Sequence, residues 1–222
     1  MTAAVLEWLR ARRAESIPHA GGSLYEHLGR VADRLAGHGA SPASCRAALT
    51  HAAYGTDGFP LVLLDVTERR VLRELIGAEA EEMVYRYGGC DRGRTWRALP
   101  ATGLIWSRFT GHCESPPPEG VRAFADLSIV NELDVYERSP EIAAKAGDYF
   151  RSVFPTWAPL ASPAVMADAR RVLGLGRRSG SGLGSGAGPR SGAGPRSGSG
   201  LGSGSGPRSG LGSGLGSGAG PG

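Results

Sequence analysis

The chain has 222 residues, 25 of them basic and 21 acidic, for a formal net charge of +4. Five arginines beyond Gly176 (Arg177, Arg178, Arg190, Arg196, Arg208) sit in a stretch without a single acid, so the body upstream carries −1 and the basic excess belongs to the end of the chain. That distribution excludes a globally basic nucleic-acid binder, and no uncharged apolar run approaches the ~18 residues that a membrane helix needs.

In chain order, the first thirteen residues read as an amphipathic helix carrying Val5, Leu6, Trp8 and Leu9; Glu7 and Arg10 interrupt what a secretion signal would need as an apolar segment. Ser23 precedes a stripe of Leu24, Leu28, Val31 and Leu35 that ends at Gly37 and Gly39. Ser41-Pro42 opens a second helix, with proline in its first turn, that stops by Gly55. Thr67 is expected to cap a third, running through Leu72, Leu75, Ile76, Ala80, Met83, Val84 and Tyr87 to Gly88 and Gly89. A loop-rich stretch from Cys90 to about Pro118 follows, with short strands or turns expected around Gly103–Phe109. A fourth helix is expected from about Glu119 to Tyr136. Ser139-Pro140 starts a fifth through Phe154, and Ser162-Pro163 a last one. The fold class is all-α: a helical bundle with one long loop insertion over residues 1–176. Residues 177–222 alternate glycine with serine, leucine and alanine and repeat Gly-Pro-Arg-Ser-Gly, a composition that predicts a disordered tail. Three widely spaced cysteines (Cys45, Cys90, Cys113) make no disulfide framework, so the expected compartment is the cytoplasm, with no membrane and no specific nucleic-acid partner.

The polar residues of interest lie at the edges of apolar stripes. His27 falls three residues after Leu24 and four before Val31, at the border of its stripe. His51 ends the second helix, where a histidine ordinarily satisfies the last carbonyls; if both rings face one cleft, they form a pair. On the fourth helix, a wheel starting at Val121 places Arg122, Asp126 and Glu137 on a solvated face. It places Asn131 between Phe124, Leu127 and Val135, where an amide must be hydrogen-bonded or ligated.

His27-Leu-Gly-Arg-Val-Ala-Asp-Arg-Leu followed by Cys45-Arg-Ala-Ala-Leu-Thr-His51 resembles the opening of HD-domain proteins, above all the hydrolase domain of the alarmone (p)ppGpp enzymes. Ile76-Gly-Ala-Glu-Ala-Glu-Glu-Met-Val resembles the helix that follows there, and Ile129-Val-Asn131-Glu-Leu-Asp resembles the segment supplying the last aspartate ligand. The likeness spans about Ser16 to Glu137. The chain also resembles an uncharacterised bacterial branch of that group, marked by a histidine before the first ligand helix (His19) and by His51-Ala-Ala-Tyr54-Gly55-Thr56. It departs from the HD pattern at Ala52, in place of the dyad's aspartate, and at Asn131, in place of the last aspartate.

The resemblance implies a divalent metal (zinc, manganese or iron) held by His19, His27, His51 and Asn131, and hydrolysis of a phosphorylated small molecule or nucleotide. Asp57 is the candidate catalytic carboxylate, and Tyr54, Thr56 and Asp134 are the candidate substrate contacts. Arg92, Arg94 and Arg108 are solvated or meet phosphate. The alternative is a ligand-binding or scaffold protein that kept the helical frame and a polar cleft but lost hydrolysis, since two carboxylates are missing from the ligand set.

Overall fold

The computed structural model describes residues 2–175; the expected tail, 177–222, lies outside the described residues. The described chain is an all-α bundle with two small antiparallel hairpins. Helix α1 spans Thr2–Ala11. A hairpin follows, β1 (Pro18–His19) against β2 (Gly22–Ser23), with His19 opposite Gly22. This hairpin has no apolar alternation to announce it, and it runs straight into α2 (Leu24–Gly37). The start of α2 is fixed by a capping box: the Glu26 N–H donates to Ser23 Oγ at 3.2 Å, and the Ser23 N–H donates to Glu26 Oε2 at 2.7 Å. The stripe Leu24, Leu28, Val31 and Leu35 is buried as expected, each side chain contributing about 1.5–3 kcal/mol by burial. Helix α3 (Pro42–Thr50) begins with its proline in the first turn and packs on α2.

The third expected helix is two helices. Its first turn is a 3-10 segment, Val66–Glu68, capped by Asp65, whose Oδ1 accepts from the Thr67 N–H at 2.8 Å; Thr67 is therefore not the cap. Helix α4 (Arg69–Ile76) and helix α5 (Ala78–Gly89) are separated at Gly77, whose φ of +89° no helix can carry. The hydrophobic period survives the break because α4 and α5 each turn an apolar face to the core, so periodicity alone does not reveal it.

The stretch 90–118 is more ordered than a loop. It holds α6 (Arg92–Thr95), α7 (Leu99–Thr102) and the hairpin β3 (Ile105–Ser107) with β4 (His112–Glu114). Trp96 is buried against Phe150, Phe154 and Trp157, and the Trp157 indole N–H donates to the Trp96 carbonyl at 3.0 Å. Gly88 lets α5 approach the turn after α3: a Cβ there would stand 2.9 Å from the Gly55 carbonyl oxygen.

Helix α8 (Pro118–Arg138) is the central element, with α9 (Pro140–Val153) and α10 (Pro163–Val172) laid against it. Every residue from Phe124 to Val135 is buried. The expected wet face is therefore correct for Arg122 and Glu137 but wrong for Asp126. Asp126 is buried and accepts from the Ser162 N–H at 2.7 Å, capping α10; burial raises its carboxyl pKa, and the Ser162 bonds only partly offset that. Along the buried middle of α8, Phe124 to Val135, neighbours surround the helix and leave no solvent face there for a wheel to find. Among the described residues no helix is long and apolar enough to cross a membrane.

Candidate functional site

The three histidines singled out by spacing meet at one place. Helix α2 presents His27, the end of α3 presents His51, and the β1–β2 hairpin lays His19 on top. The His19 and His27 rings stack with centroids 4.1 Å apart, and the His27 and His51 rings meet edge to face at 5.3 Å. Helix α8 supplies the polar backing. His27 Nδ1 lies 2.7 Å from Asp134 Oδ2, and His27 Nε2 lies 3.0 Å from Asn131 Oδ1. The Asn131 amide is oriented by its Nδ2–H, which donates to Glu132 Oε1 at 2.8 Å. Both nitrogens of His27 thus face side-chain oxygens of α8.

Asp134 sits behind His27, away from the cavity described below, so the expected substrate contact is instead an orienting group. Burial alone would raise its carboxyl pKa, but hydrogen bonds from His27 and Arg30 overcome this and hold it well below the usual range. Arg30 grips both Asp134 oxygens, at 2.8 and 2.9 Å, and also donates to the Ala20 carbonyl at 2.8 Å. One guanidinium thereby ties the hairpin turn that carries His19 to the carboxylate that holds His27.

The His19 and His51 rings are held neutral by their surroundings. His51 donates Nδ1–H to the Ala48 carbonyl at 2.7 Å, as a helix-ending histidine should, and this fixes the tautomer with the lone pair on Nε2. Burial first, and the neighbouring His27 second, push its pKa down to about 3. The same two causes hold His19 at about 4. His19 Nδ1 is buried with no hydrogen-bond partner among the described residues.

His19 and His51 line a cavity of about 590 Å³ together with Thr56, Arg92, Asn131 and Glu132; Ala52, Phe59, Trp96, Tyr149 and Phe150 form its apolar walls. Ala52, where the HD likeness implies an aspartate, puts a methyl group on the wall. Arg92 is not a solvated loop cation: its side chain is 22% exposed, its Nη1 lies 2.7 Å from Glu132 Oε1, and its Nη2 donates to Tyr87 Oη at 3.1 Å. Burial acts against its charge, but Glu132 more than offsets this and its pKa is raised. Arg94 lies over the Trp106 ring, and Arg108 donates to the Gly88 carbonyl at 2.8 Å.

Two expected site residues lie elsewhere. Asp57 is exposed, and its Oδ2 accepts the Arg92 N–H at 2.9 Å, so it fastens the start of α6 and reaches none of the imidazoles. Tyr54 is buried on the far side of the turn, where its hydroxyl donates to Glu81 Oε1 at 3.0 Å. Thr56 lines the cavity as expected, its Oγ1 accepting from the Phe59 N–H at 3.1 Å. The spacing missed Glu132, next in chain to Asn131, and the Tyr149 wall; a buried acid adjacent to a buried amide was the available signal.

The donor set does not fit a metal ion. Both nitrogens of His27 are held by Asp134 and Asn131. The nearby carboxylates Asp134 and Glu132 are committed to arginines. The His19 and His27 rings lie face to face, so their in-plane lone pairs run side by side instead of converging. Among the described residues no three His, Cys, Asp or Glu side chains are arranged to hold a metal. The expectation of zinc, manganese or iron on His19, His27, His51 and Asn131 is therefore corrected: these residues cluster through hydrogen bonds and ring contacts.

A family model described as a domain of unknown function, DUF6817, matches residues 8–92. The match spans the segment carrying His19, His27, His51, Thr56 and Arg92 and stops before Asn131 and Asp134 on α8. No curated protein and no solved structure matches the chain.

Proposed function

We propose that this protein is a small-molecule-binding protein whose ligand enters the cavity at the histidine cluster, on a helical frame like that of HD proteins with its metal site converted to a polar end wall. The observation that carries this reading is Nδ1 of His19, buried without a hydrogen-bond partner among the described residues, on a residue that lines the cavity beside His51, whose one N–H goes to Ala48. A buried polar atom without a partner costs about 1–3 kcal/mol, which a ligand would recover. The volume is that of a small organic ligand, and a few polar groups at one end of aromatic walls are the usual makeup of such a site. The meeting of His27, His51 and Asn131 from α2, α3 and α8 supports the HD likeness of the frame.

The test is an NMR titration of the full chain with a fragment set of ring alcohols, ring carboxylates and ring phosphates, reading the imidazole resonances of His19 and His51. Binding fragments should move both, and Ala146→Trp, which fills the cavity from α9, should abolish the shifts. Silence from every fragment, or shifts indifferent to A146W, would end the proposal.

A second reading, hydrolysis of a phosphorylated small molecule, draws on the His27–Asp134 pair, the arrangement that orients an acid–base imidazole. It requires His27 Nε2 to leave Asn131 and a cation to meet the phosphate, while Arg92 is occupied by Glu132. Turnover of p-nitrophenyl phosphate by wild type that is lost in His27→Gln would establish it; an inert wild type rules it out.

A further inference from the structure

We infer that the ligand is an uncharged ring compound bearing a hydroxyl group, which donates its proton to His51 Nε2 while the ring lies against the aromatic walls. The inference rests on the small-molecule-binding reading above and adds the ligand's charge and hydrogen-bonding sense.

The hydrogen-bonding sense follows from the tautomer. His51 spends its only N–H on the Ala48 carbonyl, so Nε2 can only accept, and the ligand must bring a donor to it. The charge follows from what surrounds that lone pair. A ligand ammonium would meet the guanidinium of Arg92, which lines the same cavity as His51. A carboxylate or phosphate would set its oxygens against an acceptor. Its charge would also meet cavity donors already paired with a carboxylate: Arg92 and the Asn131 amide both bond to Glu132. Arg92 and Arg30, the arginines nearest the site, are each paired with a carboxylate, Glu132 and Asp134, and neither is an unpaired cation waiting for an anion. A neutral hydroxyl suffers neither penalty, and it can accept in turn from a donor at the polar end, such as the Thr56 hydroxyl, whose oxygen is engaged as an acceptor while its own proton is free.

The walls select the rest of the molecule. Phe59 meets His19 edge to face at 5.1 Å, and Trp96 and Tyr149 lie stacked with centroids 6.1 Å apart. With Phe150 and the Ala52 methyl they offer flat apolar surface to a ring. An aspartate at position 52 would make this wall anionic; alanine keeps it neutral and apolar.

The experiment is calorimetric titration of the full chain with four probes that share a ring and differ in the polar group: benzyl alcohol, benzyl methyl ether, benzoate and benzyl phosphate. Benzyl alcohol should bind at least about 10-fold tighter than its methyl ether, which keeps the oxygen but has no proton to give. It should also bind tighter than both anions. His51→Phe should bring the alcohol down to the ether's affinity. Should that variant not fold, the alcohol-to-ether ratio in wild type decides alone. An ether that binds as well as the alcohol, or an anion that binds tightest, overturns this inference while leaving a ligand-binding cavity. Failure of all four probes overturns both.

Discussion

Two buried polar clusters in this bundle resemble each other in composition and differ in closure. Around Glu81, on α5, the carboxylate is fully buried and accepts from Arg69, Arg73 and the Tyr54 hydroxyl, at 2.6 to 3.0 Å for the closest bond of each. Burial would raise its pKa, but those three donors overcome this and lower it; the Arg69 guanidinium also lies 3.6 Å from the centre of the Tyr85 ring. Every strong valence there is filled from within the chain. Around His27 the carboxylate is as well served, by His27 and Arg30, yet the adjoining imidazole of His19 keeps a buried nitrogen without a partner among the described residues. The difference teaches that a buried charge by itself marks architecture. Unfilled hydrogen-bonding capacity beside a cavity is what marks a place for something else.

Substitutions break this comparison in a definite order. Glu81→Ala strands two guanidinium groups and a phenol at once and should cost about 3 kcal/mol in urea unfolding, toward the lower end for a broken buried pair because Arg69 and Arg73 both reach solvent. A cost below about 1 kcal/mol would show that the closed cluster is not structural. Asp134→Asn should cost about 2 kcal/mol and also loosen ligand binding, because His27 and the hairpin carrying His19 lose their shared anchor. Unchanged affinity would mean the anchor does not position the site.

The pH dependence separates the clusters further. His19 and His51 have folded pKa values of about 4 and about 3, below the ordinary value of 6.5, so on acidification the unfolded chain takes up these protons first. Their contribution is complete above pH 6.5 and is lost progressively as pH falls toward 4 and 3. Asp134 and Glu81, with lowered carboxyl pKa values, add a loss that begins only near the unfolded carboxylate value of about 4. Urea midpoints should therefore decline already between pH 6.5 and 5 in wild type, and His51→Phe should make that decline shallower, the remainder belonging to His19. A flat wild-type profile above pH 5 would contradict the buried neutral imidazoles.

Gly77→Ala should cost about 1 kcal/mol, since it places a side chain at a φ of +89° in the break between α4 and α5; an unchanged midpoint would mean that the break is not needed. The smallest effect is expected for Asp57→Ala. That residue is exposed and holds only the Arg92 N–H, so stability should move by no more than about 0.5 kcal/mol and probe affinity not at all. A large loss of binding would return Asp57 to the site.

Much of this was legible beforehand in particular residues. The Leu24–Leu35 stripe with its Ser23 cap, the prolines at 42, 140 and 163, and the spacing of His27 and His51 each state a local preference that nothing in the fold opposes. Asn131 was legible as a buried amide because its wheel neighbours are apolar. Asp126 and Tyr54 were misread because the deciding partners, Ser162 and Glu81, lie 36 and 27 residues away, and no local pattern encodes which distant group will fill a valence. The hairpin bearing His19 escaped notice because two-residue strands have no period to read.

By itself, then, the amino-acid order determined that this chain forms helices, where most of them start, and that two imidazoles border the core. Those properties depend on neighbours within a turn or two. Which imidazole is held by a carboxylate, which nitrogens stay free, and that Arg92 is neutralised by Glu132 were decided only when α2, α3, α6 and α8 came together. Hydrogen bonds and ion pairs act over a few ångströms of space, and residues a hundred positions apart become neighbours only through the packing of the bundle.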